Sequence, residues 1–256
     1  MGEMNGVRVL ERAILILSTL ASAQEPIGLS ELSRVTGLSK ATAFRILSTL
    51  GDHGLVIKDA GGCYQTGPSV LAWASSFRKK SALIEIARPY LEAINREVFE
   101  TVHLFSYEKG KAYYIDKLES PQPVRLQAVV GGNPALYSTA AGRAILSRLP
   151  EREYEEYLAA TRLSARTPHT CTDNALFRGI IENTRGRGFA EEDQQNEEGI
   201  RCVGAAIVRE DGYPIGAISI TAPRYRFCDE MAERFGPKVR DAAAEISKRF
   251  GYAAQA

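Results

Sequence analysis

Residues 29–51 read LSELSRVTGLSKATAFRILSTLG, a pattern typical of two short helices joined at Gly37. We expect Ser30 and Ser39 to begin the two helices, because a serine hydroxyl accepts hydrogen bonds from the free N–H groups of a first turn. Glycine tolerates the left-handed backbone that ends a helix. Apolar residues at helical spacing predict one shared buried face made of Leu29, Leu32, Val35, Leu38, Ala43, Ile46, Leu47 and Leu50. The stretch predicts a helix-turn-helix, although an ordinary helical hairpin in an α-rich core also fits it.

The outer surface of the predicted second helix carries small, hydroxyl-bearing and basic side chains. Such a helix can enter a DNA major groove, where its N-terminal end reads bases and its edges meet phosphates. We therefore predict a DNA-facing surface made of Lys40, Ala41, Thr42, Phe44, Arg45, Ser48 and Thr49.

A β-hairpin is predicted directly after this helix. Strand-like runs at 55–58 and 63–66 flank the turn-forming tetrapeptide DAGG at 59–62. A hairpin in this position is a wing, and it would place Lys58 near the phosphate backbone or the minor groove. With the wing included, DNA binding is the favoured interpretation of the N-terminal region.

Composition and charge are those of a soluble globular protein. The chain has 256 residues, 45% of them apolar and 25% charged, which is enough for one large domain or two ordinary ones. Its net charge of +1 is uneven, because residues 1–80 carry +3 and residues 81–256 carry −2. The four cysteines form no C-x-x-C pair, which argues against a zinc knuckle or a disulfide framework. We see neither a signal peptide nor a membrane span and expect a cytoplasmic protein.

We divide the chain into residues 1–67, a winged helix-turn-helix domain, residues 68–80, a linker helix, and residues 81–256, an α+β domain. A helix at 7–23 supports the first domain, and its surplus of apolar residues fits either internal packing or contact with a second copy. In the third domain, runs at 102–107 and 112–118 predict a β-hairpin. The other expected elements are strands at 124–130, 203–209 and 215–221 and helices at 83–99, after Thr139, after Pro150, at 173–186 and at 229–250. Together they predict a mainly antiparallel sheet.

Known catalytic motifs are absent from the sequence, which contains no G-x-S-x-G, H-E-x-x-H or P-loop. The three histidines are far apart, and Cys202 in an apolar strand is more typical of packing than of chemistry. We therefore predict no catalytic residues, no metal site and no cofactor. The alternative is a small-molecule-binding protein or enzyme that uses its helical N-terminal region for oligomerisation.

Small residues open the helix that follows Ser138. Because the first N–H groups of such a helix are accessible and carry partial positive charge, they could bind the carboxylate of a small molecule. The alternative is that residues 140–142 are small so that the helix packs closely on the sheet.

The chain resembles the IclR family of bacterial transcriptional regulators. The resemblance extends from about residue 7 to residue 250. It implies a winged helix-turn-helix, a linker helix and an effector-binding domain related in fold to GAF domains. The segments that carry it are VLERAILILSTL, LSELSRVTGLSKATAFRILSTLGDHGLV, YQTGPSVL, ARPYLEAI, ETVHL, GGNPALYSTAAGRAILSRL, RGRGFAEEDQQNEEGIRCVGAAIV and GAISITAP.

The resemblance also implies residue roles. Ser39, Lys40, Thr42 and Arg45 match DNA-facing positions of the family, whereas Phe44 stands where many members have histidine and Ala41 where many have serine. The positions that match the family's effector pocket are Ala140, Ala141, Glu192, Ile200, Cys202, Ser219 and Thr221. Glu192 stands where aspartate is usual, and Gln194 and Gln195 replace a common pair of acids. That replacement favours an anionic or amide-recognised ligand, or it only affects how the loop is capped and solvated.

We therefore expect a regulator, and more specifically a repressor of a catabolic operon, that binds a palindromic operator as a homodimer or as a dimer of dimers. A small metabolite, expected to be a carboxylate, would modulate this binding. Dimer symmetry predicts half-sites roughly 34 Å apart, about one turn of DNA.

Overall fold

The computed structural model describes residues 7–124 and 128–253. The chain divides into two compact units, Met1–Ser81 and Ala82–Ala256. The elements of the first unit are α1 (Arg8–Ser22), α2 (Leu29–Thr36), α3 (Lys40–Asp52), β1 (Val56–Lys58), β2 (Tyr64–Thr66) and α4 (Ser69–Lys80). Strands β1 and β2 pair antiparallel, with Val56 opposite Thr66. The helix-turn-helix and its wing are therefore confirmed.

The turn between α2 and α3 forms largely as the sequence predicts. Gly37 has a φ of 68° and ends α2 in the left-handed conformation. The Ser39 hydroxyl accepts a hydrogen bond from the Thr42 N–H and caps α3. The prediction for Ser30 is wrong, because extended backbone at Gly28 lets α2 begin at Leu29 and places Ser30 in its first turn.

The core of the first unit is an apolar cluster that joins the three helices to the wing. Its buried members are Ile16, Leu20, Leu32, Ala43, Ile46, Leu47, Leu50, Leu55, Val56 and Tyr64. Val35 was expected in this core but is 54% exposed. Helix α1 turns Ile16 and Leu20 inward, with Ala13 and Leu17 packed against the same cluster, and leaves Leu10 and Ile14 exposed.

The second unit is an α+β domain, as predicted. Its elements are α5 (Ala82–Val98), β3 (Thr101–Glu108), β4 (Lys111–Leu118), α6 (Ala140–Leu146), α7 (Glu151–Ala160), α8 (Asn174–Arg187), β5 (Ala190–Asp193), β6 (Ile200–Val208), β7 (Pro214–Pro223) and α9 (Asp229–Arg249). The strand order is β4-β3-β7-β6-β5, and every neighbouring pair is antiparallel. Within the described ranges, no helix is long and apolar enough to cross a membrane.

The two faces of this sheet have different characters. On one face, Val203, Ala205 and Ile207 of β6 pack in an apolar core with residues of α5 and α9. On the other face, Cys202 and Ala206 contact the small residues of α6. Because side chains alternate along a strand, the polar residues of β5, β6 and β7 that match the effector pocket point to this second face.

Two predictions about strands need correction. The expected strand at 124–130 falls partly on residues 125–127, which lie outside the described residues, and the described residues at 124 and 128–130 are not in a strand. Strand β5 was not predicted. Its sequence Ala-Glu-Glu-Asp lacks the β-branched and aromatic residues that favour strands, and pairing with β6 stabilises it instead.

Helix α6 lies very close to β6 at Gly204. A Cβ atom at this position would be 2.9 Å from the backbone nitrogen of Ala141 and 3.1 Å from the carbonyl carbon of Ala140. Both of those alanines are 1% exposed. Only glycine therefore allows α6 to pack on the sheet at this distance.

We predict that Gly204→Ala lowers the free energy of unfolding by about 1–3 kcal/mol, because the added methyl group displaces the backbone of α6. Urea denaturation of the full chain measures this change. Gly179→Ala is the matched control, since Gly179 is exposed in α8 and no atom lies within 4 Å of its added Cβ. That substitution should be neutral or stabilise by up to about 1 kcal/mol. Equal effects of the two substitutions would contradict the close-packing role of Gly204.

Candidate functional site

The predicted DNA-facing residues lie together on one surface of α3. Phe44 is 52% exposed, so an aromatic ring stands in the middle of this surface. Thr42 is half-buried, because its backbone N–H and its hydroxyl both contact the Ser39 hydroxyl, at 3.2 and 2.9 Å. The exposed members are Ser39, Lys40, Ala41, Phe44, Arg45, Ser48 and Thr49.

The wing presents a further cation. Lys58 is exposed at the end of β1, and its Nζ lies 5.5 Å from the centre of the Tyr64 ring. The adjoining turn is held by Asp59, whose side chain accepts a hydrogen bond of 2.8 Å from the Cys63 N–H. The first unit thus exposes basic residues on both α3 and the wing.

The effector-pocket residues of the second unit gather on the face of the sheet that carries α6. Glu192 lies opposite Cys202 in the pairing of β5 with β6, and Cys202 lies opposite Thr221 in the pairing of β6 with β7. Ser219 occupies the same face of β7 two residues before Thr221. Ile200 begins β6 on this face and is half-buried.

The start of α6 differs from the anion site expected there. The Thr139 hydroxyl already accepts a hydrogen bond from the Gly142 N–H, and the helix is only seven residues long. Ala140 and Ala141 are buried against β6. The small residues at this position therefore serve close packing, which was the alternative interpretation.

Arg143 of α6 is a buried cation that the sequence reasoning missed. Only 1% of it is exposed, and burial lowers the pKa of its guanidinium. Its Nε donates to the Tyr137 carbonyl at 2.9 Å, and its Nη1 donates to the Glu191 carbonyl at 3.0 Å. Its Nη2 donates to the side-chain oxygen of Gln195. The last two bonds fasten α6 to β5 and to the loop that follows it.

Glu192 is a buried acid of β5. Its Oε1 accepts hydrogen bonds from the backbone N–H groups of Gln195 and Asn196, the latter at 3.0 Å. Burial raises the pKa of this carboxyl, although the two N–H groups and the Arg143 charge oppose the rise. Among the residues that the structure describes, none forms a hydrogen bond with its Oε2.

The side-chain oxygens of Gln194 and Gln195 both accept hydrogen bonds. The Gln195 side-chain oxygen also accepts from the Cys171 N–H at 3.1 Å, and the Gln194 side-chain oxygen accepts from the Gly199 N–H at 3.2 Å. Gln194 thus bonds within the loop, whereas Gln195 links the loop to Arg143 and Cys171.

His103 of β3 is a further buried polar residue on this face. Its Nδ1 lies 3.3 Å from the Thr221 hydroxyl, whereas its Nε2 has no hydrogen-bond partner in the described part of the chain. Burial, with a smaller contribution from the Lys117 charge, lowers the pKa of His103 to about 3. The imidazole is therefore neutral at pH 7.

Tyr114 of β4 lies beside His103 at the candidate effector site. Its ring meets that of His103 edge to face at 5.1 Å. Burial raises the pKa of its hydroxyl, and the acidic groups of Cys202, Glu197 and Glu192 add to the rise. The Tyr114 hydroxyl thus lies near the acidic end of the site.

Comparison with protein-family models identifies the family to which the chain belongs. The family model for the IclR helix-turn-helix domain matches residues 9–60, and the model described as bacterial transcriptional regulator IclR C-terminal matches residues 76–248. The chain belongs to the IclR family of bacterial transcriptional regulators. This membership excludes the alternative that the protein is an enzyme.

Individual IclR-family proteins are similar over nearly the whole chain. The HTH-type transcriptional regulator KipR of Bacillus subtilis (strain 168) is 33% identical over 88% of this chain and 90% of its own length. The transcriptional repressor IclR of Escherichia coli (strain K12) is 30% identical over 96% of this chain and 90% of its own length. The crystal structure of Thermotoga maritima IclR is 31% identical, has a TM-score of 0.78 and covers 96% of this chain and 100% of its own.

Among the described residues of this IclR-family protein, no group of three or more His, Cys, Asp or Glu side chains is placed to hold a metal ion. Cys202 is half-buried, and desolvation raises the pKa of its thiol well above the ordinary value. A thiol in this state is a poor nucleophile and a poor metal ligand.

We predict that His103 makes folding stability depend on pH. The unfolded state binds a proton near pH 6.5 and the folded state only near pH 3, so the stabilisation is complete above about pH 6.5 and is lost as the pH falls. Between pH 7 and pH 5 the loss from this group should be about 2 kcal/mol.

Urea denaturation at both pH values tests this prediction. His103→Gln should lose less stability than the wild type over this interval. The control is His169→Gln, which removes an exposed histidine of the same unit and should reproduce the wild-type loss. An unchanged pH dependence in His103→Gln would show that His103 is not the group responsible.

Proposed function

We propose that this IclR-family regulator represses a catabolic operon from the cytoplasm. In this proposal the first unit binds a palindromic operator, and a small carboxylate metabolite bound in the second unit changes that binding. The observation that carries the DNA-binding part is the exposed outer face of α3, where Lys40 and Arg45 flank Phe44 beside a wing that carries Lys58. Similarity to the transcriptional repressor IclR supports repression.

The proposed DNA-reading residues are Ser39, Lys40, Ala41, Thr42, Phe44, Arg45 and Lys58. Arg45 carries the most specific role, because a guanidinium can form two hydrogen bonds to a guanine in the major groove. Lys58 would contact phosphate, which adds affinity without sequence preference. Phe44 would meet a base by apolar contact, and it gives this helix a different reading surface from that of members with histidine.

The proposed effector site is formed by Glu192, Ile200, Cys202, Ser219 and Thr221 on the sheet, with Ala140 and Ala141 of α6 as its wall. Their position on one buried face of adjacent strands supports this assignment. We keep 1–67, 68–80 and 81–256 as the DNA-binding domain, the linker helix and the effector-binding domain.

We also propose that the protein is a homodimer or a dimer of dimers. Large apolar side chains remain exposed on two helices of the first unit, and exposed apolar patches mark surfaces that bind partners. They are Val9, Leu10 and Ile14 of α1 and Leu71, Trp73 and Phe77 of α4.

Arg45→Ala tests the DNA-binding surface. If Arg45 pairs with a guanine, this substitution should weaken specific binding by about 1–3 kcal/mol while leaving the weak binding to unrelated DNA nearly unchanged. Fluorescence anisotropy with an operator selected from random duplexes measures the change. The control is Arg152→Ala, which removes an exposed arginine of the second unit that pairs with Glu156. Wild-type operator affinity in Arg45→Ala would exclude this docking.

Ser219→Leu tests the effector site. A leucine side chain at this buried position should fill the site and abolish the change in operator affinity that an acid produces in the wild type, without reducing operator affinity itself. Fluorescence anisotropy of the operator complex, with and without a small carboxylic acid to which the wild type responds, measures this change in affinity. A melting curve shows whether the variant is folded. A retained response would mean that the effector binds elsewhere.

A further inference from the structure

A cavity of about 700 Å³ lies in the second unit, between the β3–β4 turn, helix α7 and the turn that precedes β7. This volume is in the range of small-molecule sites. Among the described residues that line it, none belongs to the proposed effector site. Tyr107, which brings β3 to the cavity, lies four residues beyond His103, or roughly 13 Å along an extended strand. The cavity is therefore separate from the effector site.

Three of the described residues that line this cavity are tyrosines from separate segments. They are Tyr107 of β3, Tyr157 of α7 and Tyr213, which precedes β7. The ring centres of Tyr107 and Tyr213 are 6.3 Å apart. Burial raises the pKa of the Tyr107 hydroxyl and raises that of Tyr157 to about 12, so both phenols are neutral at pH 7. The electron-rich faces of such rings attract ammonium groups.

Glu153 of α7 places negative charge beside these rings. Its side chain is half-buried, and its Oε2 accepts a hydrogen bond of 2.7 Å from the Tyr213 hydroxyl. Burial and the neighbouring Glu153 raise the pKa of Tyr213, so that hydroxyl keeps its proton and remains the donor. The carboxylate is thus held against the aromatic wall, where it can balance the charge of a bound cation.

Two basic residues, Arg152 and Lys109, also line the cavity. Nε of Arg152 donates to Oε1 of Glu156 at 2.9 Å, and this pairing largely neutralises its charge. The Lys109 side chain is 89% exposed, and its ion pair with Glu108 is loose, with 3.8 Å between Nζ and Oε1. Lys109 can therefore meet an anionic group at the solvent side of the cavity.

We propose that this cavity binds a small betaine, a zwitterion with a methylated ammonium group and a carboxylate. The ammonium group packs among the tyrosine rings beside Glu153, and the carboxylate points to Lys109. A methylated ammonium fits this wall better than an NH₃⁺ group, because NH₃⁺ needs three hydrogen-bond acceptors whereas methyl groups pack directly on the rings. This inference goes beyond the proposed function, since it uses none of the effector-site residues.

Three ligands of similar shape test the proposal by calorimetry on the full-length protein. Glycine betaine carries both charges, 3,3-dimethylbutyrate has carbon in place of the nitrogen and lacks the positive charge, and choline has a hydroxymethyl group in place of the carboxylate. Betaine should bind at least about tenfold more tightly than 3,3-dimethylbutyrate, because only its ammonium group is attracted by the rings and by Glu153. It should bind about two- to fivefold more tightly than choline, because an exposed ion pair contributes little. Equal affinity for betaine and 3,3-dimethylbutyrate, or no binding of betaine, overturns the proposal.

Glu153→Gln keeps the shape of the side chain and removes its charge. The preference for betaine over 3,3-dimethylbutyrate should fall by about fivefold or more, because the ammonium group loses its nearest negative charge. Lys109→Gln should instead weaken betaine about two- to fivefold and leave choline unchanged, because choline has no carboxylate. The second variant changes an exposed turn residue, so it tests the proposal even if the first does not fold.

Glu155→Gln is the matched control. It removes a carboxylate of the same helix that pairs with Arg178 and does not line the cavity. This variant should keep the wild-type preference for betaine, and so should Ser219→Leu, which fills the proposed effector site. A folded Glu153→Gln protein with an undiminished preference contradicts the inference. Betaine binding that is lost in Ser219→Leu and retained in Glu153→Gln would assign the zwitterion to the effector site and would likewise overturn it.

Discussion

The candidate effector site depends on the burial of one guanidinium. Moving a cation out of water is costly, and the cost is offset only when good acceptors surround it. Arg143 finds three such acceptors, of which two are backbone carbonyls and the third is the side-chain oxygen of Gln195. Because these acceptors come from the segment before α6, from β5 and from the loop after β5, their bonds hold all three in place. Loss of the guanidinium would leave several buried acceptors unsatisfied at once.

The loop that is bound by Arg143 also positions Glu192. The same loop that binds Arg143 through Gln195 turns the backbone N–H groups of residues 195 and 196 toward the Glu192 carboxylate. The close approach of α6 to β6, which Gly204 permits, forms the adjoining wall. The guanidinium of Arg143 and the carboxyl of Glu192 thus lie near each other, and each is bound by groups of the loop. The arrangement fixes the carboxylate and leaves one of its oxygens open.

The sequence alone predicts the helices, the wing and the strands with clear apolar patterns, because periodicity reports directly which faces are buried. It does not predict β5, whose acidic sequence becomes a strand only through pairing with β6. His103 and Arg143 were missed for a related reason. His103 lies inside the apolar run of β3, and Arg143 inside the apolar run of α6, so neither stands out as part of a site. Only the strand order, which places β3 beside β7, brings His103 to Thr221.

Few side chains determine the polarity of the candidate effector site, and their charges affect which ligands can bind there. Gln194 and Gln195 add no charge, and their side-chain oxygens accept from the backbone N–H groups of Gly199 and Cys171, respectively. Glu192 contributes a buried carboxyl to this face, whereas burial keeps the His103 imidazole neutral at pH 7. A ligand carboxylate placed beside an ionised Glu192 would be repelled, so an anionic ligand would have to keep its own charge away from that carboxyl.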